Sequence, residues 1–171
     1  MLEKPQNGAS SIIATRYKCI DHIAFAVRDL ESGIEFFTSV LGFDLVRRLE
    51  VRGKRTGMIS AELEHNGIKF VLCQGTEPES QVSKLIENFG PGVAHIALEV
   101  DDVGTVVEEL RSGGLGFDTS IIEGTGLKQA FSSRCSNSGL SFEFIERNGE
   151  DGFLPSNVHE LFDQLESSGT Y

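Results

Sequence analysis

The chain writes one phrase twice. "DHIAFAVRDL" runs from Asp21 to Leu30, and "AHIALEVDDV" runs from Ala94 to Val103, so that His-Ile-Ala recurs at His22 and His95, 73 residues apart. A repeat of this length constrains the fold more than any single motif does. Each copy is one supersecondary unit that cannot cover its own apolar face, and two copies must share a core.

The segments after the two phrases also match. After the first comes "LESGIEFFTSVLGFD", with Leu30, Ile34, Phe37, Val40 and Leu41 at helical spacing, Asp29 as N-cap and Gly42 as stop. After the second comes "VGTVVEELRSGGLGFD", where Val103, Val106, Val107 and Leu110 carry the same stripe. Both helices run into "LGFD". Short apolar or alternating runs come next, "RTGMISAEL" and "IKFVLCQ" around the turn "EHNG", then "GLKQAFSSR" and "LSFEFIER" around "NSG". The expected fold is α+β: two βαβββ modules, residues 17–75 and 92–148, paired into a barrel-like open sheet around a cleft. Residues 76–91 form a linker carrying a short helix. A C-terminal helix over 155–167 presents Val158, Leu161, Phe162 and Leu165 on one face, and the whole of 1–171 reads as a single domain. The modules can pair within one chain or by exchange between two, which leaves a homodimer as one arrangement.

The composition excludes several partners. With 26 acidic and 15 basic residues the net charge is −11, and no basic footprint for nucleic acid is visible. No apolar run approaches the ~20 residues of a membrane helix. The N-terminus has no apolar signal core, so a cytoplasmic location is expected. Three widely spaced cysteines, Cys19, Cys73 and Cys135, read as free thiols.

The repeat changes how the four histidines read. His65 falls in a turn and His159 on the last helix, where solvent-exposed positions are expected. His22 and His95 occupy equivalent places in apolar strands, and pseudo-symmetry brings such positions together. The last strands align at an offset of 72, which sets Val71 against Glu143. A carboxylate inside an apolar strand is costly unless it is paired or coordinates a metal. Four symmetric corners therefore carry His22, Val71, His95 and Glu143, and three of them are metal donors. Two imidazoles and one carboxylate with open positions opposite suit non-haem Fe(II), although the donors alone also admit Zn, Mn, Co or Ni.

These residues resemble the vicinal oxygen chelate superfamily over roughly Tyr17 to Asn148, and within it the catalytic half of the 4-hydroxyphenylpyruvate dioxygenases. "SQVSKLIENFGPGVAHIALEVDDV" is similar to the segment around that family's second iron-binding histidine, "SFEFIERNGEDGF" to the one carrying its iron-binding glutamate, and "NVHELFDQLE" to its C-terminal helix. The resemblance implies that His22, His95 and Glu143 bind Fe(II). It places Gln129 on a substrate-contacting glutamine, once one residue is deleted before Glu143, and Phe153 on a phenylalanine packing over substrate. Val71 and Cys73 fall on pocket positions; Cys73 stands where the family has an asparagine, which favours a smaller or more aliphatic acid over a phenol. The implied activity is oxidative decarboxylation and hydroxylation of a 2-oxo acid with dioxygen. Two rivals share the fold: a metal-dependent isomerase or lyase resembling methylmalonyl-CoA epimerase or glyoxalase I, and a small-molecule-binding resistance protein. Val71 argues against the first, which usually has a ligand there.

Overall fold

The computed structural model describes residues 17–149 and 155–168. Phe153 lies outside them. The first half runs β1 (Tyr17–Ala26), α1 (Leu30–Glu35), β2 (Asp44–Arg52), β3 (Gly57–His65) and β4 (Ile68–Gly75). After α2 (Gln81–Phe89) the second half runs β5 (Gly92–Val100), α3 (Val103–Ser112), β6 (Ile122–Gly124), β7 (Leu127–Phe131) and β8 (Phe142–Arg147), followed by α4 (Pro155–Ser168). All eight strands form one curled sheet in the order β2-β3-β4-β1-β5-β8-β7-β6, and the α+β class with paired βαβββ modules is as the repeat predicts.

The two halves meet at β1 and β5, which are antiparallel, and there the repeated triplet finds its reason. His22 lies opposite Ala97, Ile23 opposite Ile96, and Ala24 opposite His95, so the two His-Ile-Ala triplets cross head to tail. Each imidazole is thereby set beside an alanine of the other copy, and the small side chain leaves room for it. On their far sides β1 pairs with β4 and β5 with β8, both parallel and in equivalent register: Ala24 with Val71, Ala97 with Glu143.

Strand alternation sorts the side chains between two faces. On the convex face, α1 buries Leu30 and Ile34 against Ala61, Leu63 and Leu72, and α3 buries Val103, Val106, Val107 and Leu110 against Val100, Ala130 and Phe144. The concave face gathers Ala24, Val51, Met58, Val71 and Cys73, with Val158 of α4 laid over them. Helix α4 packs against the two edge strands β2 and β6, so it spans the mouth of the curl. It is pinned by hydrogen bonds from Asn157 Nδ2 to Leu127 O (3.2 Å) and from Ser120 N to Gln164 Oε1 (2.9 Å).

Local chemistry explains the ends. Asp29 and Asp102 cap their helices by accepting from Ser32 N (2.7 Å) and Thr105 N (2.9 Å). The β3–β4 hairpin turns on Asn66 (φ 49°) and Gly67 (φ 80°), the two left-handed residues that a two-residue turn of this hand requires. The helix predicted over residues 30–41 is not α throughout: Phe36–Val40 is π-helical. There the Thr38 hydroxyl donates to the Ile34 carbonyl at 2.8 Å, and Leu41 N reaches back five residues to Phe36 O.

Candidate metal centre

On the concave face the side chains of His22, His95 and Glu143 converge. His22 Nε2 and His95 Nε2 lie 3.4 Å apart, and Glu143 Oε2 lies 3.3 Å from the first and 3.2 Å from the second. A triangle of these sides has corners about 1.9 Å from its centre. An ion just off that plane reaches all three donors at the roughly 2.0–2.2 Å of imidazole and carboxylate coordination. Glu143 is fully buried, yet neither carboxylate oxygen accepts a well-directed hydrogen bond among the described residues. A buried carboxylate without such partners is costly, and an ion between these donors removes the cost. The donor set fits a divalent metal.

The electrostatics describe the cluster with a proton in the ion's place. Burial works against the His22 imidazolium, but the Glu143 charge and the Asp21 hydrogen bond outweigh it and hold its pKa up at about 9. Burial likewise opposes the Glu143 carboxylate, and the neighbouring His22 charge overcomes it and brings the pKa down to about 2. His95 moves the other way: burial lowers it, despite Glu143. One imidazole thus carries charge and its neighbour does not.

The two imidazoles are held differently. His22 Nδ1 bonds Asp21 Oδ1 at 2.7 Å, and Asp21 is gripped in turn by Arg147, whose Nε donates to Oδ2 at 2.5 Å and Nη2 to Oδ1 at 2.9 Å. The His95 ring stands edge-on to Phe131, with centroids 5.2 Å apart.

The three donors open into a pocket whose other walls include Leu49, Met58, Ser60, Val71, Cys73, Gln129, Phe131, Val158 and Leu161. Val71 supplies no donor. Gln129 is buried with Oε1 unpartnered among the described residues, and it faces this cavity. Burial, then the Glu143 charge, pushes the Cys73 thiol up to about 12, so it stays protonated rather than offering a thiolate. A second pocket also touches His22 and Val71, with Asp21, Arg47, Glu62, Lys69 and Arg147 on its walls. Of these two, the first contains all three donors. His65 and His159 are exposed and stand outside the cluster.

The sequence reading thus assembles His22, His95, Glu143, Val71, Cys73 and Gln129 around one cavity, while Phe153 falls outside the described residues. It missed Asp21 as the partner of His22 and Arg147 as the partner of Asp21. The signal was present in the aspartate directly before the first histidine, but the second copy has Ala94 there, and the repeat drew attention to the features the copies share.

The described residues include no helix long and apolar enough to cross a membrane. Among curated proteins, the chain is 26% identical to 4-hydroxyphenylpyruvate dioxygenase of Pseudomonas aeruginosa over 86% of its own length and 51% of that protein. It spans about half the length of the dioxygenases it matches. A 4-hydroxymandelate synthase variant from Streptomyces coelicolor shares the fold with a TM-score of 0.79 at 22% identity, over 90% of this chain and 55% of that one. Methylmalonyl-CoA epimerase from Mycobacterium tuberculosis superposes with a TM-score of 0.66 at 25% identity, over 78% of this chain and 91% of that one. The family model for the Glyoxalase/Bleomycin resistance protein/Dioxygenase superfamily matches residues 19–132, well over half of the chain. The chain belongs to the Glyoxalase/Bleomycin resistance protein/Dioxygenase superfamily.

Proposed function

We propose that the chain, acting as one unit over 1–171, is an Fe(II)-dependent dioxygenase that takes a 2-oxo acid through oxidative decarboxylation and hydroxylation. The observation that carries this reading is the donor count: two imidazoles and one carboxylate converge, and the fourth symmetric corner is Val71. Three protein donors on one side leave positions for both a chelating acid and dioxygen, the arrangement of non-haem iron oxygenases. An isomerase or lyase of this fold gains from a further donor or base at that corner, and valine provides neither. The similarity to 4-hydroxyphenylpyruvate dioxygenases adds to this reading.

His22, His95 and Glu143 hold the metal. When bound, ferrous iron supplies the redox chemistry with dioxygen that no side chain offers. The protein's share is position and dryness. Leu49, Met58, Val71, Phe131, Val158 and Leu161 make the walls apolar and exclude water from the reacting atoms. Gln129 offers an amide to a polar group of the substrate, and its carbonyl oxygen still lacks a partner among the described residues. Cys73, a neutral thiol, bounds the pocket as a small, weakly polar surface and favours an aliphatic over a phenolic acid. The product is the hydroxylated acid one carbon shorter, with carbon dioxide released.

The test is anaerobic loading of the metal-free protein with Fe(II), followed by measurement of dioxygen uptake and carbon dioxide release across aryl and branched aliphatic 2-oxo acids. His95→Ala is the control. The reading expects the two gases to be coupled one to one and both lost in the variant. Tight binding of Ni, Co or Zn with no turnover of any 2-oxo acid would move the assignment to the isomerase or lyase class. Ligand binding without turnover in either assay would leave a sequestering protein.

A further inference from the structure

The repeat makes His22 and His95 equivalent, yet their surroundings are not. Asp21 sits directly before His22 on β1, and in a regular strand two consecutive side chains point to opposite faces. The β1–β5 ladder slips register between Ile20 and His22, and in this irregular stretch both Asp21 and His22 are buried, at 8% and 2% exposure. The repeat counterpart of Asp21 is Ala94, 73 positions on, and the counterpart of Arg147 is Gly75, 72 positions back. Only one copy therefore carries the acid–base pair. Arg147 lies on β8 four residues after Glu143, so the strand that brings the carboxylate donor also brings the guanidinium that fixes Asp21. The fork binds Asp21 through two nitrogens, and the Asp21 oxygen nearest His22 lies 2.7 Å from Nδ1.

We propose that Asp21 and Arg147 are positioning residues for the metal: the pair holds a proton on His22 Nδ1, fixes the ring plane, and keeps the Nε2 lone pair aimed at the point shared with His95 and Glu143. Imidazole ligands are commonly tuned by a carboxylate on the ring nitrogen that does not bind the metal. A carboxylate locked by a two-point arginine contact cannot swing away, so the orientation is built before an ion arrives. Among the described residues His95 has no such partner, and its ring is placed by Phe131. His22 is the preset anchor of the site and His95 the more adjustable arm. The inference rests on the metal-site reading of the donor cluster.

The test titrates the metal-free protein with Co(II), following visible absorption in competition with a chelator, for the wild type, Asp21→Asn and Arg147→Lys. Asp21→Asn is expected to raise the Co(II) Kd by about 10–100-fold. Arg147→Lys, which keeps the charge with a single-point grip, is expected to raise it by less. The Zn(II)-loaded protein gives a second readout by long-range proton–nitrogen NMR. In the wild type the His22 Nδ1–H resonance is expected at low field and slow to exchange. In Asp21→Asn it moves upfield and exchanges faster, with His95 unchanged. Should Asp21→Asn fail to fold because Arg147 loses the Asp21 counter-charge, Asp21→Asn/Arg147→Gln removes both charges together, and the same rise in Kd is expected there. An unchanged Kd in the folded variants, or an unmoved His22 Nδ1–H, overturns the proposal while leaving the metal site intact. Absence of Co(II) binding by the wild type instead overturns the metal site itself.

Discussion

Substituting Val71 with glutamate tests the logic of the four corners, because the parallel registers set Val71 against Ala24 as Glu143 is set against Ala97. Val71 is 7% exposed and packs with Ala24, Cys73 and Val158. In metal-free Val71→Glu, the methylenes of glutamate occupy part of the valine's volume, so the lost apolar burial costs about 1 kcal/mol. Burying a carboxyl group without a partner adds about 1–3 kcal/mol. The sum is a destabilisation of about 2–4 kcal/mol, and at roughly 2–4 °C per kcal/mol for a chain of this size Tm falls by about 4–16 °C. A divalent ion reverses the sign of the new group's contribution, since the carboxylate becomes a fourth donor. Any ion present at 100 times its Kd adds about 2.7 kcal/mol; because the variant also holds the ion more tightly, its Tm shift with Ni(II) or Zn(II) should exceed that of the wild type at the same metal concentration. The iron-loaded variant should lose dioxygen uptake, because a fourth protein donor and a two-point acid leave a six-coordinate ion no position for the gas. Differential scanning fluorimetry with and without metal, alongside an oxygen electrode, reads both effects. A variant with the wild-type metal shift and undiminished dioxygen uptake would refute the argument from pseudo-symmetry.

The same geometry makes three further outcomes testable. Metal binding should displace the Nε2 proton of the His22 imidazolium while the Nδ1 proton stays with Asp21: burial opposes this imidazolium, but Glu143 and Asp21 raise its folded pKa from 6.5 to about 9, so the stability its charge gives the metal-free protein is full below pH 6.5 and lost as pH rises through about 9. Metal affinity should therefore climb with pH across that window, with about one proton released per ion at neutral pH, measurable by calorimetry in buffers of different ionisation heats. Of the three thiols, Cys135 and Cys19 are exposed and Cys73 is buried with its pKa pushed up to about 12, so a disulfide reagent should titrate two in the native protein and the third only on unfolding. Cys135, whose thiol is brought down by hydrogen bonds from Ser138 and Asn137, should react first. Leu72→Ala, on the convex face beneath α1, should cost about 2–5 kcal/mol in denaturant unfolding and leave metal affinity unchanged.

The centre of this molecule was legible because its residues obey two simple periods. The recurrence of His-Ile-Ala marked His22 and His95 as equivalent positions on one cleft, and the acidic residue inside the apolar run "LSFEFIER" marked Glu143 as an anomaly pointing the same way. The periphery was harder to read. Strand β2 carries "DLVRRLEVR", and as an edge strand it is half solvated, so its arginines and glutamate mask the pattern. The π-helical turn depends on one threonine hydroxyl competing for a carbonyl, which helical spacing does not reveal. The pair of Asp21 and Arg147 joins residues 126 positions apart through an irregular strand, and nothing in a period of two predicts that an aspartate beside an inward histidine also becomes buried. The cavity wall draws Leu49 from β2, Met58 from β3, Phe131 from β7, and Val158 and Leu161 from α4, a convergence set by the curl of the sheet rather than by spacing.

X-ray absorption at the iron edge of the anaerobic Fe(II)-loaded protein reads whether the ion sits among two imidazoles, one carboxylate and no sulfur. The expected spectrum is a shell of nitrogen and oxygen scatterers with the outer-shell pattern of two imidazoles, both lost together in His22→Ala/His95→Ala. A sulfur scatterer at about 2.3 Å, which would bring Cys73 in as a ligand, or a pattern requiring fewer than two imidazoles, would contradict it.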